Sequence, residues 1–97
     1  MTTVEFWTNS KLDAVNALIK EYHHYASTEK DTDFAEMYDE DASDFMQALS
    51  YFRQSDAEAL AKHVCHMDTS PRESIVVAFH KDLGNQFVEE ILGYELR

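Results

Sequence analysis

The chain has 97 residues, of which 44% are hydrophobic and 12% aromatic, enough for one domain with a buried core but not for two. Nineteen acidic residues stand against eight basic ones, giving a formal net charge of −11. This sign of charge argues against direct binding to DNA, RNA or an anionic membrane, because those partners are polyanions too. A basic protein surface is the natural partner.

Cysteine use and hydropathy bear on the compartment. Cys65 is the single cysteine, so no internal disulfide is expected and a reducing environment is the default. The first residues, MTTVEFWTNSKLDAV, have neither the basic start nor the apolar run of a signal peptide. No apolar stretch approaches the roughly 18 residues that cross a bilayer. We therefore expect a soluble cytoplasmic protein.

The first predicted elements are a strand and a helix. Residues 3–8, TVEFWT, have the composition of a short strand. Asn9 or Ser10 is expected to cap a helix that ends near residue 26. Its apolar positions follow helical spacing: Leu12, Val15, Leu18, Ile19, Tyr22 and Ala26.

The second predicted helix covers residues 34–53. Asp33 and Glu36 have the spacing of a capping box. A single long helix is preferred, with a break near Asp41 as the alternative. Its apolar stripe consists of Phe34, Tyr38, Phe45, Leu49 and Phe52.

A third helix is predicted to begin at a second capping box, Ser55 with Glu58, and to end near residue 67. Pro71 is expected to stop it, because a proline disfavours the helical conformation at the residue before it. The positions predicted to be buried are Ala57, Leu60, Ala61 and Val64.

The last third of the chain is predicted to form a β-hairpin of residues 73–81 and 86–96, because SIVVAFH is rich in β-branched residues. Phe87, Val88, Ile91 and Leu92 also suit a short helix, which is the alternative. The predicted fold class is α+β: one domain over residues 1–97, with a small antiparallel sheet of about three strands packed against about three helices. Six aromatic residues are at spacings that suit its core: Trp7, Phe34, Phe45, Phe52, Phe79 and Phe87.

The acidity is concentrated in residues 29–44, which hold eight carboxylates and one lysine. On a helix, Glu36, Glu40 and Asp44 form a row with about 6 Å of rise between neighbours. Like charges at this spacing cost roughly 0.2–0.5 kcal/mol per pair, so a helix selected only for stability would interleave lysines. The row is either a solvated face that maintains solubility or a mimic of DNA phosphates that occupies lysine and arginine sites on a partner. The candidate partner-binding carboxylates are Asp31, Asp33, Glu36, Asp39, Glu40, Asp41 and Asp44.

The remaining candidate features are aromatic anchors, metal sites and the single cysteine. Tyr38 and Tyr51 are candidate aromatic anchors at the edge of the acidic face. A calcium loop is disfavoured because the EF-hand glycine is missing, and solvated or partner-facing histidines are preferred over a zinc site. Cys65 is interpreted as a small core residue. No metal, cofactor or catalytic role is predicted, so the protein is expected not to be an enzyme. A zinc site joining one histidine of the first helix with two of the third stays open; the residues concerned are His23, His24, His63 and His66.

As an α+β protein of about a hundred residues, poor in cysteine and strongly acidic, the chain beginning MTTVEFWTNSKLDAVNALIKEYHHY resembles the DNA-mimicking phage anti-CRISPR proteins that act on type I-F systems. The resemblance implies a partner: the RNA-guided surveillance complex in the cytoplasm of the bacterial host. The inhibitor would occupy the basic cleft near the large, PAM-reading subunit, where incoming duplex DNA is first held. The resemblance assigns no individual residues.

Two other functions remain open at this point. An immunity, antitoxin or antirestriction protein that occludes a basic nuclease would use the same electrostatics with another partner. A small regulator that binds a metal through its histidines belongs to a different class.

Overall fold

A computed structural model describes residues 10–93, and every regular element in that range is helical. Four helices are followed by a short helical end: α1 (Asp13–Thr28), α2 (Thr32–Arg53), α3 (Ala57–Cys65), α4 (Thr69–Leu83), α5 (Asn85–Phe87) and a π-helical turn (Val88–Leu92). The predicted α+β class is therefore wrong for residues 10–93, which contain no strand. The predicted strand 3–8 and Trp7 lie outside the described residues.

α1 and α2 form a helical hairpin, α4 packs against α1, and α3 lies between α2 and the C-terminal turn. The hairpin follows from the short connection between two amphipathic helices. The aromatic side chains of Phe45, Phe52 and Phe79 are completely buried, and Phe87 packs against Phe52 with ring centroids 5.9 Å apart. The core prediction is confirmed for these four rings. No helix within residues 10–93 is long and apolar enough to span a bilayer.

The strand predicted for residues 73–81 is the main error, since these residues belong to α4. Burial decides the outcome: Ile75, Val76 and Phe79 face the core together, which helical spacing allows and strand alternation forbids. The β preference of SIVVAFH is weak compared with that packing. Pro71 was misinterpreted as a stop. It is the third residue of α4, in the first turn, where a missing N–H leaves no helical hydrogen bond unmade.

The second hairpin strand, 86–96, is also wrong over its described part, because residues 85–92 are helical. Phe87, Val88 and Leu92 are buried and Ile91 is half-buried, so the alternative of a short helix is confirmed. Gly84 has φ 91° and separates α4 from α5 where a hairpin turn was predicted. Residues 94–96 lie outside the described range.

The single long helix predicted for 34–53 is confirmed as α2, without a break near Asp41. Its N-cap is Asp31, whose carboxylate accepts a hydrogen bond from the Asp33 N–H at 2.9 Å, so the predicted cap is two residues too late. In α3 the cap is Asp56, which accepts from the Ala59 N–H at 3.0 Å, where Ser55 was predicted. Several nearby polar residues can cap the same N–H groups, so the sequence alone does not decide which of them begins the helix.

Candidate partner-binding surface

The predicted carboxylates are arranged along the first half of α2. Asp31, Asp33, Glu36, Asp39 and Glu40 are exposed. Asp44 is half-buried and Asp41 is buried. The acidic row of Glu36, Glu40 and Asp44 therefore has two exposed members and one half-buried member.

These charges are not neutralised by neighbouring cations. α2 has no basic residue before Arg53, which donates to the Ser10 carbonyl oxygen at 2.7 Å. Within the described residues, the ion pairs are His23 with Asp39, at 3.9 Å, and Lys62 with Glu58 on α3. No lysine or arginine of that part of the chain is paired with a carboxylate of α2. The face keeps its negative potential.

Asp41 differs from the other carboxylates because its side chain is only 8% exposed. Burial, together with the nearby carboxylates of Asp44, Asp68 and Glu40, raises the pKa of Asp41 to about 6. Desolvation disfavours the ionised form, and three like charges reinforce the effect. Across residues 10–93, its carboxylate makes no hydrogen bond or ion pair, and its oxygens keep some contact with solvent. It is a buried acid surrounded by other acids.

Asp68 comes to this site from the start of α4. It occupies the N-cap position, yet its side chain caps nothing there. An N-cap side chain bonds the N–H of the second or third helical residue. The third residue is Pro71, which has no N–H, so one of the two usual donors is missing. The Asp68 carboxylate is exposed and lies close enough to Asp41 to raise its pKa.

Two large apolar side chains lie on α2 beside these acids. Phe34 is 53% exposed and Met37 is 42% exposed, so the prediction that Phe34 belongs to the core is wrong. Phe34, Met37, Asp41 and Asp44 follow one another at i, i+3, i+7 and i+10, which places them on one stripe of the helix. We call these four residues the mixed stripe. It continues along α2 into the buried positions Phe45, Ala48 and Phe52.

The two candidate aromatic anchors are partly used within the fold. Tyr38 is half-buried and contacts Tyr22 and Tyr25 of α1, with ring centroids 6.0 and 5.4 Å away. Tyr51 is half-buried and meets the His63 ring edge-on at 5.7 Å. Both rings contribute to helix packing and remain partly exposed. Phe34, which the hydrophobic pattern assigned to the core, is the more exposed ring.

The histidines are dispersed. His63 Nε2–H donates to the Asp44 carbonyl oxygen at 2.8 Å, and His66 Nδ1–H donates to that of Lys62 at 2.7 Å. A carbonyl only accepts, so each contact fixes which ring nitrogen carries the proton. No three His, Cys, Asp or Glu side chains in the described range are arranged to hold a metal ion. Cys65 is exposed, so its interpretation as a core residue is wrong.

Comparison with known proteins adds no relative. No family model, no curated protein and no solved structure matches the chain.

Sequence reasoning identified the carboxylates but missed two features of the surface. The first is Asp68, which is outside the acidic window. An Asp followed by a proline within the next turn is compatible with a helix start, and reading Pro71 in this way would have placed a fourth helix there. The second is the burial of Asp41. Only the packing of the helices shows that this residue is 8% exposed while its carboxylate oxygens still touch solvent.

Proposed function

We propose that this protein is a non-catalytic inhibitor that presents the carboxylates of α2 to the basic DNA-binding surface of another protein and so excludes duplex DNA. The observation that carries the proposal is the run of exposed acids from Asp31 to Glu40, on a rigid helix with no lysine or arginine paired to them among the described residues. A helix interspersed with lysines would be more stable in isolation. Fixed carboxylates are suitable acceptors for the lysine and arginine side chains that bind phosphates.

The dimensions and charge support occlusion of a short site. The described residues extend 46 × 23 × 22 Å. Duplex DNA of that length carries about 27 negative charges, at one per ~1.7 Å. The formal charge of −11 is less than half of this number, but a protein that lies in a cleft presents one side to it. Electrostatic steering from such a face accelerates association and weakens as salt rises.

For the particular partner, we propose the RNA-guided surveillance complex of a type I-F CRISPR system, at the basic cleft near its large subunit. Chain size, acidity and the lack of disulfide-forming cysteine pairs support this choice. The α+β architecture that accompanied the resemblance is not found in residues 10–93, so only size, acidity and cysteine content support this choice of partner. In this assignment the protein acts in the cytoplasm of the host cell, and blocks the complex's hold on the duplex without touching guide pairing.

The test is duplex-DNA binding by a purified type I-F surveillance complex, titrated with the protein at low and at moderate salt. Loss of DNA binding that weakens as salt rises is the expected result. An unchanged DNA affinity at both salt concentrations would remove the type I-F assignment. The same titration would then be made with basic nucleases and restriction enzymes, which an acidic antitoxin or antirestriction protein inhibits by the same electrostatics.

A further inference from the structure

We propose that Asp41 receives a cationic side chain from the protein partner, and that the mixed stripe docks a segment in which this arginine or lysine is flanked by apolar side chains. The proposal rests on the proposed function for the basic character of the partner. It adds the chemistry of recognition, which phosphate mimicry by itself does not include: a specific buried contact and an apolar component.

The state of Asp41 is the first reason. A buried carboxylate is normally paired or hydrogen-bonded, because an isolated buried charge is costly. Asp41 is 8% exposed and, within residues 10–93, lacks a hydrogen-bond or ion-pair partner. A guanidinium or ammonium group placed against it would supply the missing counter-charge and fix the carboxylate as ionised. Among the described residues no fully buried side-chain oxygen lacks a hydrogen-bond partner, so the Asp41 oxygens, which have none, still touch solvent. A cationic side chain of a partner can therefore reach them.

The surroundings of Asp41 favour a cationic side chain over a metal ion. Asp44 and Glu40 approach it from α2, and Asp68 from the start of α4. His63, on α3, faces the backbone of Asp44 with a ring N–H. The described residues contain no group of three ligands arranged for a metal. Carboxylates spread over two helices suit the broad fork of a guanidinium, which several acceptors can share.

The apolar half of the mixed stripe is the second reason. Met37 is about one turn and Phe34 about two turns before Asp41, and they are 42% and 53% exposed. A surface that served only as a phosphate mimic would have no use for them. An aromatic ring and a thioether beside a charged acceptor provide apolar contact for the stem of an arginine or lysine and for its neighbours. A second copy of this chain is a poor occupant, because each copy brings a formal charge of −11 to the same face.

Two synthetic peptides test the inference without any assumption about the natural partner. One is a lysine–leucine peptide designed as an amphipathic helix, and the other is a lysine–serine peptide of the same length and charge. Affinities are measured by calorimetry at moderate salt. We expect the lysine–leucine peptide to bind at least about tenfold more tightly. Equal affinities would overturn the apolar part of the proposal.

The variants separate specific contact from general attraction. Asp41→Asn is expected to weaken binding of the lysine–leucine peptide by at least about tenfold, because it removes one partner of a buried charge pair. Glu73→Gln, an equal charge change at an exposed position of α4, should change the affinity by less than about twofold. Equal losses in the two variants would overturn the role of Asp41. Phe34→Ser with Met37→Ser should abolish the preference for leucine over serine, and circular dichroism checks that it folds.

The two proposals fail separately. A surveillance complex that keeps its DNA while the peptides and variants behave as expected would overturn the partner assignment and support the mixed stripe. A complex that loses its DNA equally to the wild type, Asp41→Asn and Glu73→Gln would support occlusion and overturn the mixed stripe.

Discussion

The carboxylate of Asp82, near the end of α4, caps the start of α1 through the backbone of Ala14. Its Oδ1 accepts the Ala14 N–H at 2.8 Å and its Oδ2 accepts the Val15 N–H at 3.0 Å. α1 has no cap of its own, since Leu12 occupies the N-cap position with φ 56°. One side chain therefore satisfies two N–H groups of a helix almost seventy residues away and connects the two ends of the fold.

Asp82→Ala is expected to lower the free energy of unfolding by about 1–2 kcal/mol, since two N–H groups of the first turn of α1 lose their acceptor. In a domain of this size, that corresponds to a fall in Tm of roughly 4–16 °C. Urea denaturation followed by circular dichroism measures it. Glu73→Ala, on the same helix but exposed and without a cap to remove, is the control. Equal stability of the two variants would show that the tertiary cap is not formed.

Asp41→Asn is predicted to stabilise the protein at neutral pH. The pKa of Asp41 is raised to about 6 from its usual value of 3.8, so the folded state binds its proton more tightly than the unfolded chain. Below pH 4, Asp41 is protonated in both states and does not lower the free energy of unfolding. As pH rises through 6, the buried group ionises and the free energy of unfolding falls. Near pH 7.5, the ionised group costs at most about 3 kcal/mol. The asparagine variant removes this cost.

The measurement is the free energy of unfolding of wild type and Asp41→Asn from pH 4 to 8. The advantage of the variant should grow between pH 4 and 6.5 and then become constant. Glu40→Gln removes a neighbouring exposed charge and serves as the control; it should give a much smaller pH-dependent gain. An advantage of Asp41→Asn that does not change with pH would contradict the assigned environment of Asp41.

The helices that sequence predicts well are those in which one periodicity dominates. In α1 and α2 the apolar residues recur at helical spacing without competing signals, and both helices are found close to the predicted positions. In α4 the signals conflict. β-branched residues favour a strand, whereas Ile75, Val76 and Phe79 are buried together only on a helix. The packing of α4 against the other helices decides between helix and strand, and this packing cannot be read from the local sequence.

Helical periodicity also predicts part of the candidate surface, namely the side chains that lie opposite the apolar stripe. The exposure of Glu36 and Glu40 follows from their position opposite the apolar stripe of α2. Phe34 has the helical position of that stripe, but it lies near the start of α2, where no other described helix covers it. It is therefore 53% exposed. Which end of an amphipathic helix overhangs its neighbours depends on where the other helices pack. The exposure of Phe34 and the proximity of Asp68 to Asp41 are consequences of assembly.

Glu36→Lys combined with Glu40→Lys is predicted to abolish inhibition while leaving the fold intact. Both side chains are exposed and make no ion pair within the described residues, so stability should change by less than about 1 kcal/mol. Two reversed charges in the centre of the acidic face would repel the lysines and arginines of the partner. DNA binding by the surveillance complex in the presence of the variant is the readout. Glu73→Lys with Glu90→Lys gives the same net charge away from α2, and it should still inhibit.

Salt is expected to stabilise the protein, with α2 responsible for much of the effect. The acids of α2 are unpaired with lysine or arginine in the described range, and each like-charged pair at i, i+3 or i, i+4 costs about 0.2–0.5 kcal/mol. Raising the ionic strength from 0.01 to 0.1 M shortens the screening length from about 30 to about 10 Å. Tm should therefore rise by several degrees over this range. Glu36→Gln with Glu40→Gln should start from a higher Tm at low salt and respond less, while Glu73→Gln with Glu90→Gln should respond nearly as the wild type does. If both variants lose the same part of the response, the repulsion is spread over the whole surface and is not concentrated on α2.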